Sequence, residues 1–495
     1  MHIRSLFRAR GQLENRASRG LPDPSTIVDF CSPGALRDGL VTDIHRVFTM
    51  LKTVPPSVVL FGGARHKEGS PIYELAREIG RKFGVHGVPV KSGAGPGAME
   101  SVVRGQLEAA QLPKTPAPKL THGVSPAANP DDARTQGINM TLPHEPELNP
   151  YIEVGTRTEF LPYRKVGLYE NVRGMVAVPG GYGTLDELFE VWARGARGRH
   201  NDPMVAVQRD FFKPIFQTLH QVACKDRKLI SPREFGLVQL ADTSDEVVEE
   251  ILKAKNVRGF EEDPEVMEAR LVEELTRALQ TLDKLEPAVT FIGGSRLAAD
   301  DWTLAAGQQV AKGLAKAGLP VRVGGTDAVA RAVSAGVREA DPAANAQGFL
   351  SFSNQQQVDG LDVLQQVEDS ATFGQIISLK SRALVALPGG LGTLDELFSV
   401  LTQIQTGNMP SMPVVLVGKE YWQPLFDTIG KQMLGENPCI SPEDLKRVII
   451  TDDPKEVLSA IKTGQNERED GWFSALVNKL ATKYNLWRSG ADGAR

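Results

Sequence analysis

Cysteine is scarce in this chain. Of 495 residues only three are cysteines, Cys31, Cys224 and Cys439, far apart and without CxxC spacing. A disulfide scaffold and a structural zinc knuckle are thereby excluded as the organising principle. Long apolar runs are lacking too, for no stretch reaches the ~18 uninterrupted apolar residues of a bilayer-spanning helix. Residues Met1 to Arg10 carry charges where a secretory signal needs its apolar segment. Neither sign of charge dominates, since 56 basic side chains face 61 acidic ones. A net charge of −5 argues against binding to nucleic acid or to a membrane surface as the role of the chain as a whole and leaves a local patch open. Histidine is absent after His220, so the two halves differ in composition. The expectation is a soluble, cytoplasmic protein of ordinary globular composition, 41% hydrophobic and 24% charged. At roughly 150 residues per domain, the length predicts two to four domains.

What the chain does have is a repeat. Pro179-Gly-Gly-Tyr-Gly-Thr-Leu-Asp-Glu-Leu-Phe189 returns 209 residues later as Pro388-Gly-Gly-Leu-Gly-Thr-Leu-Asp-Glu-Leu-Phe398. Val58-Val-Leu-Phe-Gly-Gly-Ala-Arg65 returns 231 residues later as Val289-Thr-Phe-Ile-Gly-Gly-Ser-Arg296. The second copy is therefore 22 residues shorter between these landmarks, and tandem duplication is the economical explanation.

Each copy alternates strands with helices. Ser57–Phe61 reads as a buried strand, and Ile72, Leu75, Ile79 and Phe83 have the spacing of one helical face. Val88–Val90, Met175–Val178 and Met204–Val207 are further predicted strands. Ala98–Ala110 is a predicted helix, and another starts near Leu185. This alternation predicts a parallel sheet with helices on both faces and ligands at the carboxyl ends of its strands. The fold expectation is α/β, in two tandem domains. The organisation read from the chain is an N-terminal extension (1–54), a first domain (55–260), a helical linker (261–287), a second domain (288–464) and a helical tail (465–495). Asp43–Thr53 can form an amphipathic helix docked on the core, and Trp472–Leu480 has helical period. Packing or subunit contact explains both ends.

Two Gly-rich turns carry the chemistry. Ser92-Gly-Ala-Gly-Pro-Gly-Ala-Met99 joins a strand to a helix, where backbone N–H groups and the helix N-terminus can hold an anion. It is not a Walker A loop, because no Gly-Lys-Ser/Thr follows, and its GxGxG spacing fits a dinucleotide fingerprint poorly. A tight turn with close helix–sheet packing is the alternative. Pro179–Thr184 makes a second nest of donors, with Thr184 as an N-cap or a phosphate contact. Glu187 either completes a capping box with Thr184 or faces the ligand, and spacing leaves both open. Arg164-Lys165 either meet the same phosphate or form a solvated helix face. His122 and His144 lack metal-ligand spacing, so no metal site is expected. Arg194–His200 reads as a solvated basic loop, too short for nucleic acid.

Taken together, PGGxGTxxE, the upstream Arg-Lys and the Gly-rich loop ending in Ala98-Met99 resemble the LOG (Lonely Guy) family, formerly labelled lysine decarboxylases. Gly137–Glu145 and Asn149-Pro-Tyr151 are similar to its larger bacterial branch. The likeness covers about residues 55–255 and, more weakly, 288–463. It implies Rossmann-like domains, no cofactor, and hydrolysis of a nucleoside 5′-monophosphate to free base and ribose 5-phosphate. Arg164 and Glu187 fall on the catalytic pair. Gly93, Gly95, Gly97, Met99, Lys165, Gly180, Gly181, Gly183 and Thr184 fall around substrate phosphate and ribose. The alternative function is a nucleotide or cofactor carrier, resembling molybdenum-cofactor carriers, which would not require Arg164 together with Glu187.

The second copy departs from the pattern. Phe373-Gly374 stand where Arg164-Lys165 would recur, and Thr326 and Ala328 replace Gly95 and Gly97, although Glu396 and the PGGLGT turn remain. A non-hydrolysing second domain is expected. Family members form dimers whose partner completes the cleft, so the resemblance implies an intrachain pseudo-dimer with one live site. The sequence leaves open the base preference, a regulatory nucleotide on the second half, and further homo-oligomerisation.

Overall fold

Short runs of buried β-branched and apolar residues build two sheets. The computed structural model describes residues 33–109, 124–125, 134–141, 147–254, 259–325, 327–351 and 358–464. Cys31, His122, His144, Thr326 and the Trp472–Leu480 stretch lie outside these residues. The first repeat runs α1 (Pro33–Leu51), β1 (Ser57–Phe61), α2 (Pro71–Val85), β2 (Val90–Ser92), α3 (Ala98–Ala109), β3 (Val124–Ser125), β4 (Thr135–Met140), β5 (Val154–Thr158) and α4 (Leu161–Tyr169). It continues with β6 (Val172–Ala177), α5 (Tyr182–Ala196), β7 (Met204–Val207), α6 (Arg209–Leu219), α7 (Pro232–Phe235), β8 (Val238–Ala241) and α8 (Ser244–Lys253). The second repeat runs α9 (Pro264–Asp283), β9 (Ala288–Ile292), α10 (Trp302–Lys316), β10 (Val321–Gly325), α11 (Asp327–Ala340), β11 (Ala346–Ser351), β12 (Val363–Val367) and α12 (Ser370–Ser378). Then come β13 (Ser381–Ala386), α13 (Leu391–Gln405), β14 (Val414–Val417), α14 (Lys419–Met433), α15 (Pro442–Lys446) and β15 (Val448–Thr451).

The first sheet has the order β3-β5-β4-β2-β1-β6-β7-β8 and the second β12-β11-β10-β9-β13-β14-β15. Every pairing is parallel except that of β3 with β5. The expected class, two tandem Rossmann-like α/β domains, is what the chain adopts. In each sheet the order reverses around the central strand, β1 or β9, which opens a crevice at its carboxyl end. Among the described residues no helix is long and apolar enough to cross a membrane.

Several strands carry no apolar signal. β4 reads Thr-Gln-Gly-Ile-Asn-Met, yet all six residues are buried. Its polar side chains are satisfied internally: Gln136 donates to the Pro55 carbonyl at 2.8 Å and Thr135 to the Tyr151 carbonyl at 2.7 Å. Helix α5 begins at Tyr182, earlier than Leu185, behind Gly181 as N-cap with no side-chain cap bond. Thr184 therefore lies inside the helix, and the capping-box alternative for Thr184 and Glu187 is overturned.

Buried charge positions α4 and its counterpart α12. The Asp43 carboxylate on α1 accepts the Glu159 and Phe160 amides at 2.7 and 2.9 Å, at the entrance to α4. Glu274 on α9 accepts the Glu368 and Asp369 amides at 3.1 and 2.9 Å, the equivalent positions before α12. Each repeat thus starts one helix ahead of its first strand. At the other end, Lys91 on β2 donates to the Glu170 and Gly167 carbonyls at 2.7 and 3.1 Å. Its counterpart Arg322 on β10 donates to the Leu379 and Ile376 carbonyls at 2.6 and 3.3 Å. A cation at a helix C-terminus complements the dipole there.

The two repeats meet through equivalent surfaces. Tyr163 faces Thr372 with hydroxyls 3.5 Å apart, Thr218 faces Thr428 at 3.0 Å, and the Phe189 and Phe398 rings stack at 5.5 Å. Each is a residue against its own repeat counterpart, the signature of a pseudo-two-fold axis. Gly181 lies against the Cys439 carbonyl as Gly390 lies against the Leu229 carbonyl.

Candidate active site

The loop after β1 and the PGG turn are tied together at the crevice. The Gly63 amide donates to the Pro179 carbonyl at 3.2 Å, and His66 Nε2 lies 2.8 Å from the same oxygen. His66 is buried, which pushes its pKa down against the opposing effect of that bond. Beside them runs the Gly-rich loop. Gly97 has φ +71°, and a Cβ there would sit 2.5 Å from the Gly63 carbonyl oxygen, so the position requires glycine. Asn149 clamps the loop: its amide donates to the Ala94 carbonyl at 3.0 Å and its side chain to the Gly95 carbonyl at 3.2 Å.

Gly93 makes room for Arg164. A Cβ at Gly93 would lie 2.0 Å from Arg164 Nη2 and 2.6 Å from Met99 Sδ. Through that gap the guanidinium reaches Glu187, Nη1 donating to Oε1 at 3.0 Å, while Nε donates to the Ile138 carbonyl at 3.1 Å. Met99 Sδ stands 3.9 Å from Nη2. Both side chains are largely buried, 12% and 8% exposed. Burial raises the Glu187 pKa above its ordinary value, with Arg164 and then Lys165 opposing. Gly93, Met99, Arg164 and Glu187, four of the residues singled out in the sequence, therefore come together, with Gly97 packed on the β1 loop. Gly180 closes the group, since a Cβ there would be 2.1 Å from Thr184 Oγ1 and 2.8 Å from the Gly63 nitrogen.

Three of the expected phosphate contacts sit differently. Gly181 and Gly183 pack towards the second domain, against the Cys439 carbonyl and the Thr402 methyl. Lys165 turns to a buried acidic cluster, 2.8 Å from Asp186, 2.7 Å from Glu190 and 3.3 Å from Asp395 of the second repeat. It is neither a solvated cation nor a neighbour of the Gly-rich loop. Burial raises the pKa of Asp186 to about 8 and that of Asp395 to about 6, against the pull of Lys165. The basic run Arg194–His200 is likewise not wholly solvated. Arg194 is buried, 2.8 Å from Glu170 and 2.7 Å from Glu261, and His200 is buried with Nε2 2.8 Å from the Val191 carbonyl.

Sequence reasoning missed His66, Asn149 and Asp395. Asn149 was visible in its Asn-Pro-Tyr setting, but the loop it clamps lies 54 residues earlier. Asp395 lies 230 residues from Lys165, and only the folded interface pairs them.

In the second repeat the cation–carboxylate pair is gone. Gly324 is the counterpart of Gly93, and the atoms nearest its would-be Cβ are Ile377 Cγ2 at 2.9 Å and Phe373 Cζ at 3.3 Å. The Phe373 ring occupies the place of the guanidinium, and it is buried. Glu396 is left without a neighbouring arginine from its own repeat.

A family model described as "Possible lysine decarboxylase" matches the chain twice, over residues 121–251 and 330–461. The chain is a tandem member of this family, the LOG family. The first match contains Arg164, Glu187 and the PGGYGT turn, and the second contains Phe373, Glu396 and PGGLGT. Among curated relatives of this LOG chain, the cytokinin riboside 5′-monophosphate phosphoribohydrolase of Rhodococcoides fascians is 33% identical over 104 residues, 21% of this chain and 52% of that protein. The protein of the same description from Mycobacterium tuberculosis is 35% identical over 88 residues, 17% of this chain and 45% of that protein. The chain thus spans about half the length of the curated relatives it matches. A solved structure, the molybdenum cofactor binding protein from Rippkaea orientalis, is 22% identical with a TM-score of 0.28, covering 36% of this chain and 97% of that one.

Proposed function

We propose that the first domain hydrolyses the N-glycosidic bond of a nucleoside 5′-monophosphate, giving free base and ribose 5-phosphate, and that the second domain completes it as a non-hydrolysing partner. The observation that carries this reading is the buried Arg164–Glu187 pair, 3.0 Å long, beside two Gly-rich turns. Relatives named as phosphoribohydrolases support it. The C1′–N bond breaks with its electron pair leaving on the base, and water adds to C1′, giving one proton to the departing nitrogen. Positive charge builds on the ribose meanwhile. Glu187 Oε1 is held by Arg164, and the carboxylate stabilises that charge or orients the water. The phosphate sits at the amino ends of α3 and α5, where the helix dipole favours an anion, although the Ala98 and Thr184 amides are already taken by the Gly63 and Gly181 carbonyls. Its binding energy fixes the sugar against Glu187. In this reading Lys165 is a positioning residue that joins α4 and α5 to Asp395.

Incubation with AMP, GMP, CMP and UMP, followed by assay of free base, tests the proposal. Glu187→Gln is expected to lower base release by ~10²-fold or more, the scale of losing a charge-stabilising group, and Glu396→Gln to leave it near the parent rate. No base from any of the four nucleotides would sink the hydrolase reading.

A further inference from the structure

The second domain keeps a cleft of about 520 Å³ at the carboxyl ends of β9, β10 and β13, a volume typical of small-molecule sites. It lies where strand order reverses around β9, the crevice in which sheets of this kind hold ligands. One side is the start of α13, whose N-cap Gly390 makes no side-chain cap bond. The first-turn amides of Leu391, Gly392 and Thr393, all lining residues, therefore have no intrahelical acceptor. The backbone is also accessible, for a Cβ on Gly325 would meet nothing within 4 Å. Opposite stands exposed Arg331 on α11.

The first domain supplies the remaining wall through Leu229, Ile230 and Arg197. Arg296 is neutralised across the domain boundary by Glu234, Nη2 to Oε1 at 2.5 Å. Asp327 is the lining carboxylate that opposes Arg331 and Arg197. Glu396 also lines the cleft; burial and neighbouring Asp395 raise its pKa to about 8, against the pull of Arg197 from the first domain. Arg197, Arg296 and Arg331 thus stand among Glu234, Asp327 and Glu396, with Arg331 the exposed cation on α11. With Phe373 in place of an arginine, the cleft has no arginine of its own repeat beside Glu396.

We propose that this cleft binds a phosphorylated small molecule, a nucleoside or sugar monophosphate, without cleaving it, through Arg331 and the amino end of α13. The inference does not depend on turnover in the first domain, because its test reads binding by location. Hydrogen–deuterium exchange is measured on the full chain carrying Glu187→Gln, which keeps nucleotide probes intact, with GMP, ribose 5-phosphate or guanosine added. GMP is expected to slow exchange over 327–331 and 390–396, and guanosine is not. Adding Arg331→Glu, a surface substitution, is expected to raise the GMP concentration required by about tenfold or more. Equal protection by ribose 5-phosphate supports a sugar-phosphate site, and protection by GMP alone supports a nucleotide site. Protection confined to 93–99 and 180–187, equal protection by guanosine, or an Arg331→Glu chain that responds to GMP as the parent does would each overturn the proposal.

Discussion

At the scale of single residues, one missing side chain decides where a charge can go. Gly93 has no Cβ, and Arg164 Nη2 occupies the space where one would be. Gly93→Ala is therefore expected to push the guanidinium off Glu187 and lower base release by ~10²-fold, the scale of an ångström-sized misplacement in a catalytic group. Gly324→Ala is the matched control, since it crowds only Ile377 and Phe373 in the second repeat. Its rate should stay within about twofold of the parent, because the strain falls on apolar packing of the second repeat and not on Arg164 or Glu187. Base release by the purified variants, each with a melting curve to establish folding, checks both. Full activity in Gly93→Ala would remove the geometric argument for Arg164. At this scale the sequence was most informative where a motif is contiguous. That Arg164 and Glu187 share one place was legible because their setting recurs as a pattern. Lys165 was misread because its third partner, Asp395, belongs to the other copy.

At the scale of elements, α4, α5 and α13 share one buried ionic cluster in which a single lysine faces Asp186, Glu190 and Asp395. In the second repeat Gly374 stands in place of that lysine and Ser399 in place of Glu190, so Asp395 depends on the first repeat for its cation. Lys165→Met would remove the cation shared by three buried carboxylates, leaving Glu190 with Ser370 and Asp395 with Arg197, and is expected to cost about 3–5 kcal/mol. Asp395→Asn removes excess negative charge and keeps a polar atom for Lys165, so it is expected to be within about 1 kcal/mol of the parent or more stable. Urea unfolding of the two variants checks the order, and a larger loss in Asp395→Asn would refute the charge balance drawn here. The apolar strands β1 and β7 and the helical stripe of α2 were legible from periodicity. β4 was not, because its buried Thr135, Gln136 and Asn139 are paid for by hydrogen bonds that a one-dimensional pattern does not display.

At the scale of the molecule, the repeat correctly announced two copies of one fold, whereas the way they pack on each other could not be read from it. The interface is isologous, and ionisable groups are buried both within the first repeat, as Asp43 is, and between the repeats, as Asp186 and Asp395 are. Burial raises the pKa of Asp43 to about 7, Asp186 to about 8, Asp395 to about 6, Glu170 to about 8 and Glu396 to about 8. Unfolded, these carboxyls return to 3.8 or 4.5. Between roughly pH 5 and pH 7 the folded chain therefore holds more protons than the unfolded chain, and stability falls as pH rises. His66, whose pKa is lowered, works in the opposite direction below 6.5, but it is one group against five. Lys91, lowered by burial to about 7, opposes the carboxyls mainly above that pH. Carboxylates held low, such as Glu234 at about 2, are ionised throughout the window and add no slope. The expected outcome is a melting temperature several degrees lower at about pH 7 than at about pH 5, measured by calorimetry on the full chain. Replacing Asp186 and Asp395 together by Asn should flatten that slope. A melting temperature that climbs between the two pH values would show instead that the cluster is held ionised, with Lys165 outweighing the burial of its three carboxylates.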